Sequence, residues 1–433
     1  MTRSRRALLL CAVAAALPAR AGPPGRAVPR LAARVRGPLV TFHRERLPDG
    51  MELVVLPVRF ADAASMRVVV RAGSDLDPPG RAGLAHLLEH LIAGPRGEDA
   101  LLDLARAAGA ELNAYTTRDT TCYELDAPAD AFRPLAARLL REVTGPPLRG
   151  ADLAREQGVI SGEEAYHGGG EVLPLVEEVL FRTGDPAPIG APRTRDEITR
   201  ADLAAFFRAN YATTNMTVVV AGAITLEDAR ALVDSAVLLP PALPGEAAAP
   251  RAGLPLLPAN EPVRAPLNAT VLGYALEPGE PGTCEALAAL LELRLLVTLQ
   301  LEDPVLGGVG ADCRVMRGVP FVLATAFSRS LDAGDLPPQI DEVFRKAKTR
   351  PMTLAEREIL ERRRGRTLDW VRDDPALLAD AVAGLAAGPR PGDATPVEEL
   401  ERPLPPGGKL RETAVRSFSA GRRVQIEFSP FRQ

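Results

Sequence analysis

Two of the four histidines in this chain, His86 and His90, stand four residues apart in Gly83-Leu84-Ala85-His86-Leu87-Leu88-Glu89-His90-Leu91-Ile92-Ala93-Gly94, with Glu89 between them. The stretch is otherwise apolar and closes on Gly94-Pro95, so it reads as a helix. On a helix, residues i and i+4 stack on one face, with Cβ atoms about 5–6 Å apart. Glu89, three residues after His86, lies at the edge of that face. Two neutral nitrogens beside one carboxylate are most of a catalytic zinc site, which takes three protein ligands and a water. Two core histidines with satisfied hydrogen bonds would be the plainer account of a lone histidine. It suits this trio poorly, because burying two unpaired imidazoles and a carboxylate is costly.

A third ligand has to come from another element. The helical pattern over residues 150–167 offers Glu156, Glu163 and Glu164. Glu156 and Glu163 are seven apart, two helical turns, and point the same way, whereas Glu164 points roughly 100° from Glu163. A solvated helix face would explain any one of them. The residues alone leave the choice open.

The elements around these groups alternate. LPDGMELVVLPV and ASMRVVVRAG are β-branched runs bounded by turn residues, and AELNAYTTRDTTCYELDAP reads as two strands about a short polar turn. DALLDLARAAG, DAFRPLAARLLREV and EVLPLVEEVLF read as helices, and residues 199–224 finish as helix then strand. A Pro-, Ala- and Gly-rich stretch then separates a second half that repeats the order more weakly. In that half Trp370 reads as core and AVAGLAAG as linker, and RRRGR at 362–366 reads as a solvated helix face. The expected organisation is a signal peptide over 1–21, an extension over 22–37, a zinc-bearing domain over 38–239, a linker over 240–260 and a second domain over 261–433.

The first 21 residues carry a basic start, an apolar run of eleven and Ala19-Arg20-Ala21, the pattern of an export signal too short to span a bilayer. Ser4-Arg5-Arg6-Ala7-Leu8-Leu9 is similar to a twin-arginine signal, so either export route is open. A periplasmic or secreted protein without a stable membrane anchor follows. Removing the segment and its four arginines takes the net charge from −4 to −8, which argues against nucleic acid as a partner. Of the remaining cysteines, Cys122, Cys284 and Cys313, an odd set without CxxC spacing is neither a disulfide framework nor a metal site. A Cys284–Cys313 bridge stays open in an oxidising compartment.

His86-Leu87-Leu88-Glu89-His90 followed by Glu163 resembles the inverted zinc motif of the pitrilysin-like metallopeptidases, the family of insulin-degrading enzyme and mitochondrial processing peptidase. GSDLDPPGRAGLAHLLEH, LNAYTTRDTTCYEL, REQGVISGEEAY and the helix–strand ending of the first half are similar to the family in turn. The resemblance implies an α+β fold of two similar α/β-sandwich-type domains, a duplicated unit forming half of a clamshell. It implies that His86, His90 and Glu163 bind one Zn²⁺, that Glu89 is the general base, and that Glu156 orients a ligand histidine through its other ring nitrogen. Asn113 and Ala114 would lie on the strand that pairs with a substrate peptide. Active single-chain relatives carry an arginine and a tyrosine seven apart in the second half. Here Leu301 and Gly308 stand in those places. The resemblance therefore implies a zinc endopeptidase acting on peptides or unfolded segments as the catalytic half of a heterodimer, its partner chain supplying the Arg/Tyr pair. A non-catalytic peptide-binding or scaffold subunit of the same fold is the alternative.

Overall fold

The computed structural model describes residues 41–58, 60–94, 99–167, 172–181, 195–239, 255–264, 268–277, 279, 282–300, 306–316, 318–328, 336–387 and 401–429. The export segment, the extension, most of the linker and Leu301 lie outside the described residues.

In the first half, β1 (His43–Arg46), β2 (Glu52–Pro57), β3 (Ala63–Val70), β4 (Glu111–Thr116), β5 (Thr121–Pro128) and β6 (Met216–Gly222) form one sheet in the order β1-β2-β6-β3-β5-β4. β2 and β6 pair parallel and the other neighbours antiparallel. The central strands are near-continuous apolar runs because both faces of the sheet are covered. On one face Met66, Val68, Tyr123, Leu125 and Val218 meet α1 (Leu84–Ala93), α2 (Leu101–Ala107), α3 (Ala129–Thr144), α6 (Arg200–Asn210) and α7 (Leu226–Ala236) in a single core. α4 (Gly150–His167) adds Ile160 to it and packs on α1.

The second half repeats the plan. β7 (Ala259–Arg264), β8 (Ala269–Ala275), β9 (Leu306–Met316), β10 (Val319–Ser328) and β11 (Arg423–Ser429) form a sheet in the order β7-β11-β8-β10-β9. Its parallel pair is β7 with β11. Advancing each strand number of β2-β6-β3-β5-β4 by five yields this order, and the parallel pair falls in the same place. One face packs on α8 (Thr283–Leu295), α9 (Leu336–Thr349), the start of α10 (Leu354–Asp373) and α12 (Gly407–Ser417). β7 begins inside the span read as linker and contains Pro262, tolerated because β7 is an edge strand.

Each half gives one helix to the other. α5 (Val172–Phe181) buries Val176, Leu180 and Phe181 against Val271, Phe321 and Ile426 of the second sheet. α11 (Pro375–Ala387) lies across β3 and β6 of the first sheet, burying Leu378, Ala379, Val382 and Ala386. Residues 381–387 of the AVAGLAAG stretch read as linker are thus the end of a packed helix, their small residues permitting close approach to the sheet. Trp370, read as core, is 56% exposed. Of RRRGR, Arg362 and Arg366 are exposed, Arg362 beside Glu358, whereas Arg363, Arg364 and Gly365 are half-buried.

Under α11 sits Arg67 of β3, fully buried, its guanidinium against Asp126 and Glu124 of β5 and Asp380 of α11. A buried charge stands only when paired, and here the pairing also ties the exchanged helix to the sheet. In the second half, Cys284 of α8 is bonded to Cys313 of β9, which settles the bridge the sequence left open.

Candidate metal centre

α1 begins at a fixed point. Asp77 accepts hydrogen bonds from the N–H groups of Gly83, Leu84 and Ala85 at 2.7, 3.2 and 2.9 Å, placing a carboxylate on the helix's positive end. Gly83 there has φ +91°, a conformation that favours glycine. From this start Leu84, Leu87, Leu88, Leu91 and Ile92 turn inward, leaving His86 and His90 together on the remaining face with centroids 4.7 Å apart.

α4 crosses that face. Glu163 Oε2 lies 3.4 Å from His90 Nε2 and 3.9 Å from His86 Nε2, and Glu156 Oε2 lies 3.3 Å from His90 Nδ1. Glu156 is itself held by Arg155 at 2.9 Å. Gly94 lets it come close, since a Cβ there would stand 3.0 Å from Glu156 Oε2 and 2.6 Å from His90 O. Glu89 is buried, accepts a hydrogen bond from Thr116 Oγ1 at 2.8 Å and lies 3.9 Å from His86 Nε2.

Ligand atoms on tetrahedral zinc, at bonds of about 2.0–2.1 Å, lie about 3.3 Å apart. The convergence of both Nε2 atoms on Glu163 Oε2 is close to that spacing. With Glu156 on Nδ1, His90 is the tautomer whose Nε2 lone pair faces the gap. His86 Nδ1 is buried without a hydrogen-bond partner among the described residues, so its other nitrogen carries its polar contacts. Glu89 is a rival third donor, its atoms and those of the histidines all within 4.8 Å of one another. Its hydrogen bond to Thr116 draws it toward β4, while Glu163 alone reaches both Nε2 atoms. His86, His90 and Glu163 offer the donors that could hold a zinc ion, with Glu89 beside them.

The electrostatics agree with such a division. Burial pushes the Glu89 carboxyl up to about 7, against the pull of His90 and the Thr116 hydrogen bond. Burial and the neighbouring imidazole hold His86 well below the usual histidine range. Burial also disfavours charge on His90, but hydrogen bonds to Glu156 and Glu163 outweigh it and raise that ring.

Asn113 and Ala114 lie apart from this cluster, on β4, the outer strand of the sheet. Thr117 N donates to Thr120 O at 2.8 Å, closing the β4–β5 hairpin. Antiparallel alternation then turns the main chain of Asn113 and Tyr115 toward β5, and that of Leu112, Ala114 and Thr116 toward the open edge. Ala114 and Thr116 share the α1 side, whereas Asn113 projects from the other side and donates to Glu124 at 2.9 Å. Thr116 and Asp77 had not been singled out, although both stand in stretches already quoted. Their signal was a hydroxyl and a carboxylate next to the motif. Gly308 lies on β9, opposite Phe327.

A duplicated α+β fold with two histidines on one helix and a carboxylate crossing them defines a metallopeptidase class. A match to the family described as Insulinase (Peptidase family M16) covers residues 53–171, and one to Peptidase M16 inactive domain covers residues 197–297. The chain belongs to this pitrilysin-like M16 family. An uncharacterized zinc protease of Streptomyces coelicolor is 26% identical over 401 residues, 85% of this chain and 84% of that protein. A protease from Helicobacter pylori shares the fold with a TM-score of 0.79 at 18% identity, over 90% of this chain and all of that one. The periplasmic protease PqqL from Escherichia coli aligns with a TM-score of 0.69 at 18% identity, over 90% of this chain but 48% of its own. At such identity the solved structures speak for the fold alone. No described helix is long and apolar enough to cross a membrane.

Proposed function

We propose that the chain is the catalytic subunit of a zinc-dependent endopeptidase, exported through residues 1–21 and acting on peptides or unfolded segments. The observation that carries this is the convergence of His86, His90 and Glu163 on one point, with Glu89 held beside it by Thr116. Bound there, one zinc ion would lower the pKa of a water toward about 7 and polarise the scissile carbonyl. Glu89, a carboxylate poised near neutrality, takes the proton of the attacking water and returns it to the departing amine. Glu156 holds His90 in the tautomer that leaves Nε2 for the metal. The outward main-chain groups of Ala114 and Thr116 pair with a substrate added as a further strand, which fixes its register over Glu89.

The substrate's second wall comes from another chain. This protein matches about half the length of the Escherichia coli protease, and it has Gly308 and Leu301 where single-chain relatives have donors. A partner bearing an arginine and a tyrosine supplies them. The same lack favours the second reading, a non-catalytic peptide-binding subunit. The test is to measure zinc in the purified chain and to assay peptide cleavage alone and with its relative from a neighbouring locus. Zinc near one per chain with cleavage that rises on adding the relative is expected. Protein that takes up no zinc on reconstitution would end the metal reading, and zinc-loaded protein inert in both mixtures would favour the second.

A further inference from the structure

Asn113 is exposed at the end of a polar chain that leads into the protein. Its Nδ2 donates to Glu124 Oε2 at 2.9 Å. The other oxygen of Glu124 faces Arg67 Nε at 3.5 Å, and Arg67 is fully buried between Glu124, Asp126 and Asp380. The Nε–H itself is donated to Asp380, so Glu124 meets Arg67 as an ion pair, and the cation favours an oxygen of residue 124 turned toward it. A carboxylate offers acceptors on both sides, and Asn113 answers with its amide nitrogen. The two heteroatoms of an amide diverge from one carbon, so turning Nδ2 inward toward β5 turns Oδ1 toward the open edge of β4. This face of the strand lies opposite the histidines and also presents Tyr115, 41% exposed.

We propose that Glu124, oriented by Arg67, is a positioning residue that fixes Asn113 with its carbonyl oxygen at the open edge, so that β4 selects peptides bearing a hydrogen-bond-donor side chain opposite it. The inference rests on the reading of β4 as the peptide-binding strand. Asn113 accepts from that side chain, while the main chains of Ala114 and Thr116 hold the peptide without regard to sequence. A peptide with an apolar isostere at that place leaves Oδ1 facing a group that cannot satisfy it.

The substitution that tests this follows from the donor logic. In Glu124→Gln the cation still favours the oxygen of the new amide on its side, which turns the NH₂ toward Asn113. Asn113 then flips and presents NH₂ at the edge. Combining Asn113→Asp with Glu124→Gln restores an outward acceptor, because the Gln NH₂ donates to one Asp oxygen and leaves the other at the edge. The probe is a fluorescein-labelled unstructured peptide made as a series with Trp, whose indole N–H only donates, or its isostere benzothienylalanine at each position in turn. Binding is followed by polarisation on the full-length, zinc-loaded chain carrying Glu89→Gln, so that nothing is cleaved. One position should prefer Trp by about tenfold, the equivalent of one hydrogen bond. Asn113→Ala and Glu124→Gln should each abolish that preference while zinc content stays unchanged, and the double swap should restore it. A preference that survives Asn113→Ala, or survives in folded Glu124→Gln, overturns the proposal. If Glu124→Gln alone does not fold, a folded double swap without Trp preference overturns it equally. Failure of every peptide to bind refutes the edge-strand premise and the proposal with it, whereas the zinc reading stands or falls separately on metal content.

Discussion

Gly83 and Gly282 open equivalent helices, α1 and α8, both with a left-handed backbone at the first position. Beyond that point the two helices share a place in the fold and little else. Counting from the glycines, His86, Glu89 and His90 correspond to Glu285, Ala288 and Ala289. The apolar positions agree, Leu88 with Leu287 and Leu91 with Leu290, all buried. The scaffold therefore needs an apolar stripe at this helix and does not need the polar trio. In the first half the trio is added against the cost of burying polar groups, while the second half spends the same ground on packing and a disulfide between α8 and its edge strand β9.

The sharpest way to break the comparison is to make α1 resemble α8. The triple change His86→Glu, Glu89→Ala and His90→Ala should abolish zinc binding and peptide hydrolysis outright. The metal-free protein should nonetheless fold, melting somewhat below metal-free wild type, because His86→Glu buries a new carboxyl near Glu163 and His90→Ala takes a partner from Glu156. Calorimetry showing an unfolded or strongly destabilised variant would mean that the trio also holds the fold. Glu89→Gln, a smaller change, should keep zinc near one per chain while hydrolysis falls by roughly 10²- to 10⁴-fold, since an amide cannot take a proton from water. Near wild-type turnover would require another base.

How much of this was legible in the sequence depends on whether a feature is local. The helix bearing His86 and His90, and the hairpin of β4 and β5, show in residue types within a dozen positions. The approach of Glu163 to the histidines came from a family pattern, because helical spacing alone could not choose among three glutamates. The duplication was faint in sequence and is plain in strand order, because the halves keep topology and not residues. The exchange of α5 and α11 was hidden. A helix of small residues such as AVAGLAAG carries no strong amphipathic signal, and its partner sheet lies some 300 positions away, as Arg67 to Asp380 shows. Arg67 itself was unremarkable in a chain rich in arginine.

The second half offers its own contrast. Removing the Cys284–Cys313 bridge with Cys313→Ser should lower stability by about 3 kcal/mol, the entropy of closing a loop with a separation of 29 residues. The loss should appear as unfolding of the second sheet, with zinc content of the folded protein unchanged. Protein prepared under oxidising conditions that melts alike with and without Cys313 would show that the bridge does not form.

The smallest change concerns the strand ends that face these two helices. Thr116 ends β4 opposite Thr121, and Met316 ends β9 opposite Val319, so the halves again differ by a polar pair against an apolar one. Thr116 Oγ1 donates to Glu89 Oε2 at 2.8 Å, and Thr121 Oγ1 donates to Ala72 O at 2.8 Å, which holds the pair in place. Thr116→Val keeps the branched shape and removes the donor, making the site more like its counterpart. A hydrogen bond to a buried carboxylate is worth about 1.5–3 kcal/mol, so kcat should fall by roughly 10- to 100-fold with KM and zinc content little changed. The sign of the pH effect follows from the same bond. Thr116 stabilises the ionised form of Glu89, so its loss moves the carboxyl further up and protonates the base over a wider range. The deficit should be greatest at low pH and shrink as pH rises. A deficit independent of pH would assign Thr116 to placing the Glu89 carboxylate rather than to its ionisation, and no deficit at all would leave the difference between the two strand ends without consequence for the chemistry.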